Sequence, residues 1–220
     1  MVKTIGKRTL FQNLWSAAVS LRGALEPSQY KHPVLGLLFI KYVSESFTEM
    51  RDQIEAYTKD PDNEDYFCED EADRIDMLND RDEYKAENVF WVPEEARWDF
   101  LLKNSKQPNI AKLLDDAMKS IERENPKTKG LLYKGFASLN IDPDKFGQLI
   151  DLLSDIGFDG QHKSADVLGQ AYEFFLGKLW MKKRKSERFW RSYNQERINA
   201  LVNSLSKSDK GVKHDSTPKI

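Results

Sequence analysis

Cysteine is almost absent: Cys68 is the one thiol in 220 residues. That excludes a disulfide framework and any cysteine-built zinc or iron–sulfur site. His32, His162 and His214 are scattered along the chain, so no metal ligand is assigned. Glycine is sparse as well. The eleven glycines never fall one residue apart, and the nearest pair is Gly157 and Gly160. Loops that cradle phosphates or dinucleotides need closely spaced glycines, because backbone amides approach the ligand only where no Cβ intervenes. Gly-Lys-Ser/Thr and Gly-x-Ser-x-Gly are missing too, which removes the P-loop and the hydrolase elbow. A nucleophile built on Cys68 would lie in the most acidic part of the chain, where a thiolate is disfavoured. No catalytic residue is therefore assigned. Long apolar runs are also lacking. The longest, Pro33 to Ile40, is broken by Lys41, well short of the roughly 18 residues a membrane span requires. The opening residues Met1 to Arg8 carry no apolar stretch of the secretory kind. The expectation is a cytoplasmic protein with no membrane partner.

What is present belongs to a folded, highly charged chain. Hydrophobic residues make up 40%, charged residues 32% and aromatics 11%, enough apolar material for a core. The net charge of −2 is a misleading average. From Lys59 to Glu83 there are twelve acidic residues against three basic ones. From Lys182 to Lys213 there are ten Lys and Arg against three acids. Such polarity fits an acidic surface and a basic tail able to meet phosphate; the alternative is that both are simply solvated.

Periodicity predicts helices. Leu10, Leu14, Ala17, Ala18, Leu21 and Leu25 recur at helical spacing, and Pro27 closes that segment. A longer helix follows from about Pro33 to Tyr57, with its proline in the first turn, where no helical amide is lost. Residues 34–43 are apolar nearly all round, which marks them as the centre of the core. Residues 58–88 read as an acidic loop with one short exposed helix near Glu71 to Asp80. Val89 to Val92 is a short extended patch ended by Pro93, and a helix start follows at residues 93–98. Further amphipathic helices run from Ile110 to Arg123, from an Asp142 cap to Gly157, and from Ser164 onward. Asp115 and Asp116 read as part of a solvated helix face. The expected fold is mainly α, a helical bundle-like domain with at most a short β element at 89–92 and no Rossmann-like sheet. The domain is placed at 1–180, with a basic tail at 181–220.

Trp15, Trp91 and Trp98 lie among apolar residues and read as core. Trp180 and Trp190 flank a basic cluster. Trp180, Lys182, Lys183, Arg184, Lys185, Arg188 and Arg191 are the candidate DNA contacts, by phosphate neutralisation and base stacking. The alternative is a helix end with lysines extended into solvent.

Several stretches carry a resemblance. Leu14 to Gly23, then Glu26 to Ser44 with its Tyr30-Lys31-His32 and Leu35-Gly36-Leu37-Leu38-Phe39 runs, resemble the opening of the methyltransferase (modification, M) subunit of type I restriction–modification systems. Val92 to Trp98 and Asp166 to Lys178 fit the same pattern, in the same order. The resemblance implies an N6-adenine DNA methyltransferase that uses S-adenosylmethionine. It also implies a helical N-terminal domain that helps close around DNA, and partners: a specificity (S) subunit, a restriction subunit and a second M subunit.

The resemblance stops after Gly177-Lys178. The family continues there into a Gly-Glu-Phe-Tyr-Thr-Pro-like segment, whereas this chain reads Lys185 to Asn194 with no Thr-Pro before Thr217-Pro218. The Asn-Pro-Pro-Phe/Tyr motif, which holds the flipped adenine, is also missing, since none of the eight prolines adjoins another. The expectation is a truncated or frameshifted M subunit that binds no cofactor and is not catalytic alone. Two alternatives remain at this stage: a complete but divergent methyltransferase, and a helical protein-interaction scaffold.

Overall fold

The computed structural model describes residues 31–155 together with Gln12, Trp15, Ser16, Val19 and Leu21. Six helices lie within 31–155: α1 (Lys31–Lys59), α2 (Glu71–Asn79), α3 (Arg81–Ala86), α4 (Trp98–Lys103), α5 (Ile110–Glu124) and α6 (Pro143–Ser154). Short 3-10 turns at Glu94–Ala96, Pro126–Thr128 and Ala137–Leu139 link them. Among the described residues there is no strand. The fold is the mainly α, bundle-like domain that the periodicity predicts.

α1 is the axis. Its 29 residues extend about 43 Å at 1.5 Å per residue. Val34, Leu37, Leu38, Ile40 and Val43 are all within 1% of complete burial, so the stretch apolar all round is indeed the core's centre. α2, α4 and α6 pack on α1, while α5 packs on α4, α6 and the 94–96 turn. Leu21 is fully buried in the same core, and Trp15 packs against it. Lys41, which interrupts the apolar run, is buried too. It pairs with Glu45 one turn on, and its ammonium lies 5.3 Å from the centre of the Trp98 ring.

Trp98 ties three helices. Its backbone amide donates to Ser44 Oγ on α1 at 2.7 Å, and its indole N–H donates to Ser154 Oγ on α6 at 3.0 Å. α6 starts as expected: Asp142 Oδ1 accepts from the Asp144 amide at 2.9 Å, and Pro143 occupies the first position. It ends at Ser154, ahead of the predicted Gly157 stop. Most of the helix predicted over Leu10 to Leu25, the helix predicted from Ser164 onward and the boundary at 180 lie outside the described residues.

Two local readings are corrected. Residues 81–86, expected as loop, form α3, because Tyr84 is fully buried and anchors the segment. Its ring stacks on Phe47 of α1 at 4.9 Å and meets Trp91 edge-on at 5.1 Å, while its hydroxyl donates to the Leu78 carbonyl. Asp115, expected on a solvated face, is buried (9% exposed). Its carboxylate accepts from the amides of Phe136 at 2.9 Å and Ala137 at 3.0 Å.

Candidate functional site

The extended patch at 89–92 shows how side chains position this body. Its polar backbone needs a partner, and no neighbouring strand supplies one. Asn125, at the C-terminal end of α5, does so instead. Its Oδ1 accepts from the Trp91 amide at 3.1 Å, and its Nδ2 donates to the Trp91 carbonyl at 2.9 Å. One side-chain amide thus reproduces a step of sheet pairing.

Next to that patch lies an open cleft of about 250 Å³, between the middle of α1 and residues 87–90. Tyr42, Val43, Met50, Val89 and Phe90 give it an apolar floor, and Glu49 and Glu87 an acidic rim. It falls below the several hundred Å³ usual for small-molecule sites. Asn88, at φ +55°, turns the backbone there, a conformation asparagine tolerates better than most residues.

The acidic region is ordered rather than merely solvated. The Cys68 amide donates to the Thr58 carbonyl at 3.0 Å, and Arg74 reaches the Cys68 carbonyl as well as Glu71. Arg51 of α1 donates to the Leu78 carbonyl at 2.8 Å. The Tyr66 hydroxyl donates to Glu83, and that bond pushes its pKa above the usual phenol value. The Cys68 thiol donates to the Tyr66 carbonyl at 3.3 Å. Among the described residues, no cluster of His, Cys, Asp and Glu is arranged to hold a metal.

At the opposite end of α1 the character changes. His32 stacks on Tyr133 with ring centres 5.3 Å apart, and Tyr133 meets Phe136 edge-on at 5.0 Å. Burial, reinforced by the negative charge of Asp115, pushes the Tyr133 pKa up to about 12. Gly36 is required here, since a Cβ would come within 2.8 Å of the Phe136 ring. The loop after α5 is braced by Glu122, whose carboxylate accepts from the Gly130 amide and pairs with Lys134. Burial alone would raise the Glu122 pKa, but those two donors outweigh it and hold the carboxyl below its usual range.

The sequence-predicted DNA contacts Trp180, Lys182, Lys183, Arg184, Lys185, Arg188 and Arg191 all lie outside the described residues. Trp98 is buried and Trp91 partly so, as expected for core rings. Arg81 covers the Trp91 ring at 4.7 Å and Arg97 covers Phe47 at 5.0 Å. Sequence reading missed the Asp115 and Asn125 brackets, for which no local pattern gives a signal.

The described residues thus form a helical body with ordered charged surfaces and a shallow open cleft. The chain belongs to the HsdM N-terminal domain family, whose pattern matches residues 10–153. It is 38% identical over 171 residues to the type I restriction enzyme MjaIX methylase subunit of Methanocaldococcus jannaschii, covering 77% of this chain and 30% of that protein. It is 36% identical over 110 residues to the type I restriction enzyme HindI methylase subunit of Haemophilus influenzae, covering 40% of this chain and 24% of that protein. The chain thus spans under a third of the length of these relatives. No helix among the described residues is long and apolar enough to cross a membrane.

Proposed function

We propose that this chain is the DNA-embracing, subunit-docking part of a type I modification subunit and is not catalytic by itself. Its family membership across residues 10–153 carries the reading. The complete assembly would methylate adenine N6 in DNA with S-adenosylmethionine, in company with a specificity subunit, a restriction subunit and a second M subunit. The basic segment with Trp180, Lys182, Lys183, Arg184, Lys185, Arg188 and Arg191 would add phosphate contacts. The division into a 1–180 domain and a 181–220 tail belongs to the same proposal, as does a cytoplasmic setting.

The two glycines within the described helices offer the methyl donor no cradle. Gly36 is pressed under Phe136 and Gly147 against the Ser105 backbone, so neither opens a cradle. The chain does contain an Asn-Pro pair, Asn125-Pro126, but that amide is committed to Trp91 and the Ile121 carbonyl. Both of its N–H donors are used, and the Trp91 amide takes one of the two lone pairs of its Oδ1.

Two measurements test the reading. Calorimetric titration with S-adenosylmethionine should give no heat of binding; saturable binding favours the divergent-enzyme alternative. Duplex DNA should bind with affinity that falls steeply with salt, and Lys183→Ala, Arg184→Ala and Lys185→Ala together should weaken it. Salt-insensitive or absent DNA binding removes the DNA part of the reading.

A further inference from the structure

We propose that the loop between α5 and α6 is a second phosphate-contacting surface, presenting Lys127 and Lys129 to the backbone of duplex DNA. The inference rests on the DNA-embracing reading above. Residues 125–141 contain three lysines and no acid, and residues 27–44 contain no acid either. The His32–Tyr133 stack brings these two acid-free stretches together at the N-terminal end of α1. The acidic residues 60–83 follow the other end of α1 and reach only the base of the loop, where Arg81 pairs with Glu124, so the acid-free surface is the part of the loop beyond Asn125. The positive end of the α1 dipole lies on the basic side.

The loop is built to hold its lysines out. Thr128, between them, is completely buried, and its hydroxyl donates to the Asn125 carbonyl at 2.8 Å. The Lys129 amide closes a turn onto the Pro126 carbonyl at 3.1 Å, and the Leu131 amide closes another onto Thr128 at 2.9 Å. Leu132 is buried just beyond. Lys127 and Lys129 therefore project from a fixed turn, and both are exposed. Neither forms a salt bridge among the described residues, unlike Lys59, Lys85, Lys119 and Lys134. Gly130, at φ +75°, has nothing among the described residues within 4 Å of where its Cβ would stand, so the turn is open on that side. A pre-ordered pair of cations loses less freedom on meeting phosphate than lysines on a loose loop would.

The test uses the full chain with fluorescent duplex DNA of arbitrary sequence, titrated across salt. Three proteins are compared: wild type, Lys127→Ala/Lys129→Ala, and Lys103→Ala/Lys112→Ala. The last pair removes the same charge near the far end of α5, about 22 Å away. Each phosphate contact adds about 0.9 to the log–log salt slope. The loop variant should lose about 1.8 from that slope, which is about tenfold in affinity change between about 50 and 200 mM salt. The control pair should leave the slope at the wild-type value, and Lys127→Arg/Lys129→Arg should retain it. Equal losses in both Ala pairs would mean a net-charge effect and would overturn the inference. So would an unchanged slope in the loop variant, including the case where only its melting temperature falls because the lysines merely balance the α5 C-terminus. Absence of salt-dependent binding by the wild type overturns the DNA reading itself, an outcome distinct from these.

Discussion

Asp115 and Asp116 stand side by side in the sequence, yet they do different things. Asp116 faces Lys119 on the surface at 2.9 Å. Asp115 is turned inward and satisfies two amides that begin the 137–139 turn. Periodicity could not separate them, because the partners of Asp115 are more than twenty residues away. Asp115→Ala would leave the buried Phe136 amide without an acceptor, at a cost of about 1–3 kcal/mol. Asp115→Asn keeps one oxygen for two donors and should fall between Ala and wild type in denaturant titration; equal stability of all three would refute the bracket. Tyr133, beside it, carries a pH prediction. Its pKa of about 12 lies above the ordinary phenol value near 10. Between these values the unfolded chain ionises first, so the unfolded state gains and stability falls as pH rises from about 10 to 12. Tyr133→Phe should lose less stability over that window than wild type, although Tyr66 and Tyr84, also shifted upward, contribute to both proteins. A parallel decline in the two proteins would show that Tyr133 ionises freely.

The elements were legible in proportion to their apolar periodicity. α1, α5 and α6 appear within a few residues of where the leucine and isoleucine spacing placed them. The caps at Asp142 and Pro143 were readable because their chemistry is local. α3 was not readable: six residues with one buried side chain, Tyr84, have no period to detect. What holds that helix is the Phe47–Tyr84–Trp91 cluster, a contact among three distant parts of the chain. Tyr84→Ala should therefore cost about 3–5 kcal/mol, the range for removing a buried ring. Tyr84→Phe deletes only the bond to the Leu78 carbonyl and should cost about 1 kcal/mol. If both variants unfold at the wild-type midpoint, α3 is not anchored to α1 as described. The basic candidates from Trp180 to Arg191 are a reading of composition and lie outside the described residues. No sequence pattern marks the Lys127–Lys129 turn, since its shape depends on burying Thr128 between the two lysines.

Across the whole molecule, α1 decides how the parts share stability. Its first half is the core shared with α4 and α6, and its second half carries Phe47 and Ile54, both fully buried, toward the acidic region. The two ends are not equally well fastened. α5 buries seven of its fifteen residues, whereas α2 buries Leu78 alone among nine. Backbone amides open at a free energy set by how much packing must be broken. Native-state hydrogen exchange in low denaturant should thus give one common opening energy for Leu37–Val43 and Leu114–Ile121, close to that of global unfolding. Amides of α2 should open at a distinctly lower energy, while the Val89 amide, bonded to the Tyr84 carbonyl at 2.8 Å, follows α3. Exchange of α2 at the global energy would mean that the acidic region is integral to the core. Exchange of Leu37–Val43 below the energy of α5 would mean that α1 is not the common axis.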